Sequence, residues 1–168
     1  IIAVRRGDKG LRFDRLAVGE HLMLGGDNMD LALARHLEAR VVGKPGQLDS
    51  RRWHQLWHQC RKAKEMLLEQ AEGGISQEQD RPEAVTVTVM GSGSKLIGDT
   101  LKGTLTLNLV EELILDGFFP PVALTDAPTS GRRTGLTEWG LPYVQDPAVT
   151  RHLAAFWQRY RTLLANET

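Results

Sequence analysis

The chain has 168 residues, with 21 basic and 21 acidic side chains and therefore a formal net charge of zero. The length suits one domain or one large subdomain, and the balanced charge argues against a general nucleic-acid-binding protein, which carries a basic excess. No apolar run approaches the roughly 20 residues of a membrane-spanning helix, so we expect neither nucleic acid nor a membrane as a partner.

Cysteine content and the N-terminus bear on the compartment. The single cysteine, Cys60, excludes a disulfide within the chain and fits a reducing compartment. Residues 1–4 show no signal-peptide pattern, so the sequence predicts a cytoplasmic protein. The chain opens inside an apolar, strand-like run without an initiator methionine, which suggests a fragment of a longer protein, with proteolytic maturation as the alternative.

The first 48 residues predict a strand hairpin and a helix. Apolar residues precede a turn at residues 6–10, and apolar and charged residues then alternate from Leu11 to Asp14, as in a half-buried strand. Asp27 or Asn28 is expected to cap the following helix, which ends at residues 43–46. The apolar residues of this helix are Met29, Leu33, Leu37 and Val41.

A second helix, capped by Asp49 or Ser50, has the clearest periodicity in the chain. Lys64 is the one charged residue in its stripe, which otherwise comprises Trp53, Leu56, Trp57, Cys60, Ala63 and Leu67. We expect Trp53, Trp57, Cys60 and Leu67 to be largely buried. Cys60 is therefore predicted to be a small buried hydrophobic residue.

The second half of the chain predicts further strands and two helices. A polar linker at residues 72–82 precedes a strand at 85–89, a turn at 91–94 and more strand at 95–97 and 101–107. Asn108 is expected to cap a helix that reaches Ile114. An irregular connection at 123–146 leads to a last helix at 147–166, which Asp146 is expected to cap. The predicted apolar face of this helix comprises Val149, Leu153, Phe156, Trp157, Tyr160 and Leu164. The predicted fold class is α/β, with a small mixed or antiparallel sheet packed by three to four helices.

A candidate ligand-binding turn lies at residues 24–30, Leu-Gly-Gly-Asp-Asn-Met-Asp, between a strand and a helix. Gly25 and Gly26 let the backbone approach a ligand closely because they lack a Cβ atom. The free N–H groups and positive dipole end of the helix suit a phosphate. A tight strand-to-helix turn without a ligand is the alternative.

Three motifs follow one another along the chain. They are this Leu-Gly-Gly turn, Ala63-Lys64-x-x-Leu67 in the second helix, and Val-Glu-Glu-Leu at residues 110–113. The order resembles lobe II, mainly its outer subdomain, of the DnaK-type heat-shock chaperones, which are actin-like ATPases. The match covers about residues 1–118, whereas the tail at 135–153 looks like a divergent bacterial branch. The resemblance implies one fragment, residues 1–168, of a larger ATPase domain, with a hairpin at 1–24, an outer helix–sheet subdomain at 25–122, a connection at 123–146 and a helix at 147–166.

The resemblance also implies a function. The chain would supply one wall and a lid of an ATP cleft, with Gly25, Gly26 and Asp27 near the phosphates and Lys64 at the ribose. The full-length parent would be an ATPase that uses ATP or ADP with magnesium. The fragment itself would bind no cofactor, have no catalytic residue and not hydrolyse ATP. Its partners would be the remaining lobe of its own chain and a co-chaperone or exchange factor.

Several residues depart from the family pattern. Arg61 stands where a glutamate is usual, Glu65 where an arginine stacks on adenine, and Leu68 where a serine contacts the base. Adenine recognition is therefore open. The alternative function is a protein-interaction module that retains the fold and has lost nucleotide binding.

Other candidate sites have simpler interpretations. His54 and His58 have a zinc-compatible spacing, but Gln55 replaces the glutamate of the metalloprotease pattern and no third ligand is evident, so no metal site is predicted. Residues 91–95 lack the spacing of a phosphate loop and predict a hairpin turn. Taken without the resemblance, Lys64 would extend along the surface with its ammonium in water.

Overall fold

A computed structural model of the chain describes residues 1–8, 10–69, 82–90, 100–129 and 146–165. Within these residues the fold is α/β, with four helices and two separate two-stranded antiparallel sheets. The sequence predicts one small sheet, and the difference arises because each strand pairs only with its neighbour along the chain. The predicted turn at 91–94, the strand at 95–97, and most of the linker at 72–82 and the connection at 123–146 lie outside the described residues.

The chain divides into two compact units. The first combines residues 1–24 with residues 119–168, and the second comprises residues 25–118. Each unit contains one of the two sheets.

The first unit begins with the predicted hairpin, formed by β1 (Ile2–Gly7) and β2 (Gly10–Arg15). In the register of the hairpin Val4 lies opposite Phe13. Gly10 has φ of 118°, a conformation that side chains larger than hydrogen disfavour, and it allows the chain to reverse direction here.

The last helix of the first unit, α4 (Val149–Ala165), begins two residues later than predicted. Asp146 does not cap the helix: its carboxylate accepts hydrogen bonds from the N–H groups of Ala148 (2.9 Å) and Thr129 (2.8 Å) and from Arg151 (2.9 Å). Burial on its own would raise the pKa of Asp146, but these hydrogen bonds outweigh it and hold the pKa well below its usual range. The buried carboxylate therefore fixes the segment that leads into α4.

The predicted apolar face of α4 is only partly covered. Ala154 is buried, and the rings of Phe156 and Tyr160 pack against each other with centroids 4.9 Å apart. Leu153 and Trp157 are exposed, which corrects the prediction that they face a core. An apolar stripe is therefore no guarantee of burial at the surface of this unit.

The second unit packs two helices against a hairpin. Its elements are α1 (Gly26–Val42), α2 (Ser50–Leu68), β3 (Ala84–Val89), β4 (Leu101–Thr106) and α3 (Leu107–Glu111), which continues as a π-helical turn at Glu112–Asp116. Helix α1 packs against α2 and β4, and α2 packs against β3. The buried side chains include Leu33, Leu37, Trp53, Leu56, Leu67, Val87, Leu105 and Val110.

The apolar stripe of α2 is largely confirmed. Asp49 caps the helix by accepting a hydrogen bond from the Arg52 N–H at 2.9 Å, and the buried residues are Trp53, Leu56, Cys60, Ala63 and Leu67. Trp57 is only half-buried, which corrects the prediction, because at 3.6 residues per turn it lies at the edge of this stripe. Its indole stacks on the ring of His58 at 5.6 Å.

In the second unit, two predicted helix caps are wrong. Gly25 is the N-cap of α1, and Asn28 reaches back from the first turn to accept a hydrogen bond from the Gly25 N–H at 2.8 Å. Thr106, not Asn108, caps α3, because its hydroxyl accepts from the Leu109 N–H at 3.3 Å. Both corrections place the start of the helix earlier than the polar residue that suggested it.

A buried carboxylate fixes the turn between α1 and α2. Glu38 accepts hydrogen bonds from Arg35 and from the backbone N–H groups of Gly46 (2.8 Å), Gln47 (3.0 Å) and Leu48 (3.0 Å). Three successive N–H donors satisfy a charge that burial would otherwise make costly. The acid at the C-terminal end of α1 therefore sets the path of the chain into α2.

Gly103 on β4 allows α1 to approach the sheet. A Cβ atom at this position would lie 2.6 Å from Leu37 Cδ1 and 3.0 Å from Val41 Cγ2, closer than carbon atoms pack. Any larger residue therefore requires the side chains of Leu37 and Val41, or α1 itself, to shift.

We predict that Gly103→Ala lowers the free energy of unfolding by about 1–3 kcal/mol, the usual cost of overpacking a core. The matched control is Gly117→Ala, since a Cβ atom there meets no atom within 4 Å and φ is −78°. Urea titration of both variants checks this, and equal stability of the two variants would contradict the packing of α1 on β4.

Candidate functional site

The N-terminus of α1 and the middle of α2 meet at a small polar site in the second unit. The Lys64 ammonium lies 4.0 Å from the position that a Cβ atom on Gly26 would occupy. Gly25, Gly26 and Asp27 are exposed there, and the first N–H groups of a helix have no acceptor within the helix. The structure therefore brings Gly26 and Lys64 together, although they are 38 positions apart in the sequence.

Lys64 is held by the carboxylate of Asp30 on α1, the last residue of the candidate turn, to which the sequence assigned no role of its own. Its Nζ lies 2.6 Å from Oδ1 of Asp30; the Asp30 side chain is 1% exposed and that of Lys64 is 14% exposed. An ordinary surface lysine extends its ammonium into bulk water. Lys64 does not, because its ammonium contacts Asp30. A signal was present in the sequence: Asp30 is an acid on the apolar face of α1, and Lys64 is the one cation on that of α2.

The Asp30 carboxylate depends on this ion pair. Neither oxygen accepts a hydrogen bond of good geometry from the described residues, and the contact with Lys64 is electrostatic. Arg61 adds a weaker contribution, with its Nε 3.8 Å from Oδ2 of Asp30. A buried charge without a partner is strongly destabilising, so the two helices are tied together at this point.

The charge around Lys64 is not that of a phosphate site. Arg61 also lies 3.3 Å from Glu65 Oε1 and 3.8 Å from Asp27 Oδ1. Two cations thus face three carboxylates, those of Asp27, Asp30 and Glu65, which leaves an excess of negative charge. This balance favours a hydroxyl-bearing ligand group over a bare phosphate at the Lys64 ammonium, because like charges repel.

The two residues that depart most from the family pattern interact with each other. Arg61 and Glu65 form an exposed i,i+4 ion pair on α2, of the kind that contributes little to stability. Leu68 is half-buried at the last position of the same helix.

Cys60 lies in the core beneath this site. Burial, and to a smaller extent the negative charge of Asp30, raise the pKa of its thiol to about 12. The thiolate is the reactive form, so the folded protein keeps this cysteine inert at neutral pH.

The first unit contains a groove that was not predicted from the sequence. It has a volume of about 430 Å³ and mainly apolar walls that include Leu22, Pro128, Leu153 and Phe156. Gly19 lets Phe156 approach the segment before α1, since a Cβ atom there would lie 3.1 Å from the ring. The signal in the sequence was the group of apolar residues Val18, Leu22, Met23 and Leu24 before α1.

The predicted histidine pair takes part in aromatic contacts. His54 and His58 both lie against the indole of Trp57, with ring centroids 6.4 Å and 5.6 Å away. Across the described ranges of the chain, no group of three or more histidine, cysteine, aspartate or glutamate residues could hold a metal ion. In the same residues, no helix is both long and apolar enough to cross a membrane.

Comparison with known proteins gives no assignment. No family model matches the chain, and a search of curated proteins finds no significant match.

We predict that Lys64→Met lowers the free energy of unfolding by about 3–5 kcal/mol, because it leaves the Asp30 carboxylate buried and unpaired. Adding Asp30→Asn to Lys64→Met should recover part of the loss, since the charge is then removed as well. Denaturant unfolding of the single and double variants checks this. The control Lys62→Met alters an exposed neighbour and should change stability by less than about 0.5 kcal/mol. If the double variant recovers no stability, Asp30 and Lys64 are not coupled.

We also predict that Cys60 does not react with a thiol reagent at neutral pH until the protein unfolds. The folded thiol stays protonated up to about pH 12 whereas the unfolded thiol ionises near pH 9, so stability should be complete below pH 9 and fall as the pH rises above it. The fall attributable to Cys60 is at most about 1.4 kcal/mol per pH unit. The measurement is the free energy of unfolding of wild type and of Cys60→Ala between about pH 8 and pH 10.5. If this free energy falls with pH equally steeply in both proteins, burial of Cys60 has no such effect.

Proposed function

We propose that this chain is part of the nucleotide-binding domain of a cytoplasmic, chaperone-like ATPase of the DnaK type, in which it supplies one wall and a lid of the ATP cleft. The observation that supports the proposal most directly is the position of the Lys64 ammonium, held by Asp30 beside Gly26 at the N-terminus of α1. Gly26 and Lys64 are among the residues that the family resemblance assigns to nucleotide. The remaining lobe of the parent protein would complete the cleft.

Lys64 is proposed to donate hydrogen bonds to the hydroxyl groups of the ribose. Its ammonium carries three N–H donors, and its contact with Asp30 is an ion pair at 2.6 Å, so donors remain for a ligand. The excess of carboxylates around it disfavours direct contact with the phosphates, which would approach the exposed N–H groups of Gly26 and Asp27 or bind to the rest of the parent. Magnesium would arrive on the nucleotide phosphates, its usual ligands in such proteins, and we assign no described residue to it.

The isolated chain is proposed to be catalytically inactive. Phosphoryl transfer requires phosphate-binding groups together with a residue that orients the attacking water. Asp30 is paired with Lys64, and Glu65 and Asp27 are paired with Arg61, so none is poised to activate a water molecule.

The test is nucleotide titration of the parent protein. Because hydrogen bonds to a charged group contribute about 1.5–3 kcal/mol, removing the Lys64 ammonium should weaken ATP binding by about 10–150-fold. The variant of choice is Asp30→Asn with Lys64→Met, which removes the ammonium without leaving a buried charge unpaired. Lys62→Met is the matched control, and circular dichroism verifies folding of each protein.

The outcomes of this titration separate the two functions. Wild-type affinity in the Lys64 variant would place the lysine in a purely structural role. Absence of ATP binding in wild type would favour the alternative, a protein-interaction module that keeps the fold and has lost nucleotide. The mutual pairing of Arg61 and Glu65, in place of a base-stacking arginine, is the observation that favours this alternative. Its partner would then be a co-chaperone or exchange factor.

A further inference from the structure

The β1–β2 hairpin of the first unit has one apolar face that nothing described covers. Side chains alternate along a strand, so Ile2, Val4 and Arg6 share a face with their cross-strand partners Arg15, Phe13 and Leu11. The four apolar side chains of this face are 59–65% exposed. A two-stranded hairpin is marginally stable in water when no further strand or helix packs on it, so this face is suited to a partner.

The arginines on the two faces of the hairpin differ in whether a carboxylate pairs with them. On the opposite face Arg12 and Arg5 lie 2.8 Å and 3.7 Å from the carboxylate of Asp14. On the apolar face Arg6 and Arg15 have no carboxylate within ion-pair distance among the described residues. The apolar face therefore combines exposed apolar area with two cations that no described carboxylate neutralises.

The register also fixes where these cations lie. Arg6 is opposite Leu11 near the turn, and Arg15 is opposite Ile2 at the open end of the hairpin. Four residues along a strand separate the two levels, a distance of about 13 Å. The pair Val4–Phe13 lies between them. The two arginines thus lie on different strands and at opposite ends of the face, with Val4 and Phe13 between them.

We propose that this face, formed by Ile2, Val4, Arg6, Leu11, Phe13 and Arg15, is a docking surface for an extended segment of another protein that carries apolar side chains between two carboxylates. The partner's carboxylates pair with Arg6 and Arg15, and its apolar side chains cover Val4 and Phe13. This inference concerns the first unit and is independent of nucleotide binding in the second.

Charge complementarity selects this occupant over two others. A second copy of the hairpin brings only arginines to the interface, so it buries Arg6 and Arg15 against aliphatic side chains without a carboxylate. A membrane surface favours cations on one side of an apolar wedge with tryptophan or tyrosine at the boundary. Here the cations lie at opposite ends, and the aromatic residue of the face is Phe13.

The test uses the 168-residue chain and two synthetic strand peptides. The acidic peptide is Val-Thr-Glu-Thr-Ile-Thr-Glu-Thr-Val, whose glutamates match the spacing of the arginines, and its control has lysine in place of both glutamates. Binding is followed by titration calorimetry and by NMR shifts of the hairpin amides. We expect the acidic peptide to bind at least about tenfold more tightly than the lysine peptide, because two ion pairs replace two repulsive contacts.

Three variants make the test specific. Arg6→Glu with Arg15→Glu should reverse the peptide preference, and Phe13→Thr should weaken binding of the acidic peptide at least about tenfold through lost apolar contact. Arg5→Gln, on the opposite face, is the matched control and should leave the affinity unchanged. These residues are exposed, and circular dichroism verifies that each variant folds.

Each remaining outcome overturns the proposal. Equal binding of both peptides, or binding of neither, removes the role of the arginines. Sedimentation that shows self-association of the chain, lost in Phe13→Thr, assigns the face to a second copy. Co-sedimentation with vesicles of phosphatidylserine, lost in the double glutamate variant, assigns it to an anionic lipid surface.

Discussion

The ion pair between Asp30 on α1 and Lys64 on α2 is the interaction on which the candidate site depends. A carboxylate with 1% exposure needs a compensating partner, and for Asp30 the Lys64 ammonium at 2.6 Å is that partner. The pair therefore restricts how the two helices can slide or rotate against each other. It also determines where the ammonium lies, because a lysine bound to Asp30 remains beside Gly26.

A second buried acid applies the same principle at the other end of α1. Glu38 binds the backbone of residues 46–48, so the short connection into α2 follows one path. The two acids constrain α1 at both ends, one through a side chain of α2 and one through the loop before it. Buried ionic groups are weak sources of stability, but they can specify one arrangement among several that apolar packing alone would allow.

This electrostatic arrangement shapes what the site can recognise. The same carboxylate that positions Lys64 also neutralises it, and Asp27 and Glu65 surround Arg61. The site thus offers directed hydrogen-bond donors with little net attraction for an anion. That combination suits sugar hydroxyls more than phosphates.

The sequence by itself determined the elements with strong local signals. The periodicity of α2 and its Asp49 cap, the hairpin at residues 2–15 and the β-branched strand β3 are read correctly, because each depends on neighbouring residues. The Leu-Gly-Gly turn was a candidate on similar local grounds, whereas Lys64 became one only through the family resemblance. Only the tertiary structure could show the pairing of Lys64 with Asp30, the division into two small sheets and the exposure of Leu153 and Trp157. These features depend on which surfaces meet across long sequence separations, and periodicity within one element carries no information about the element that packs against it.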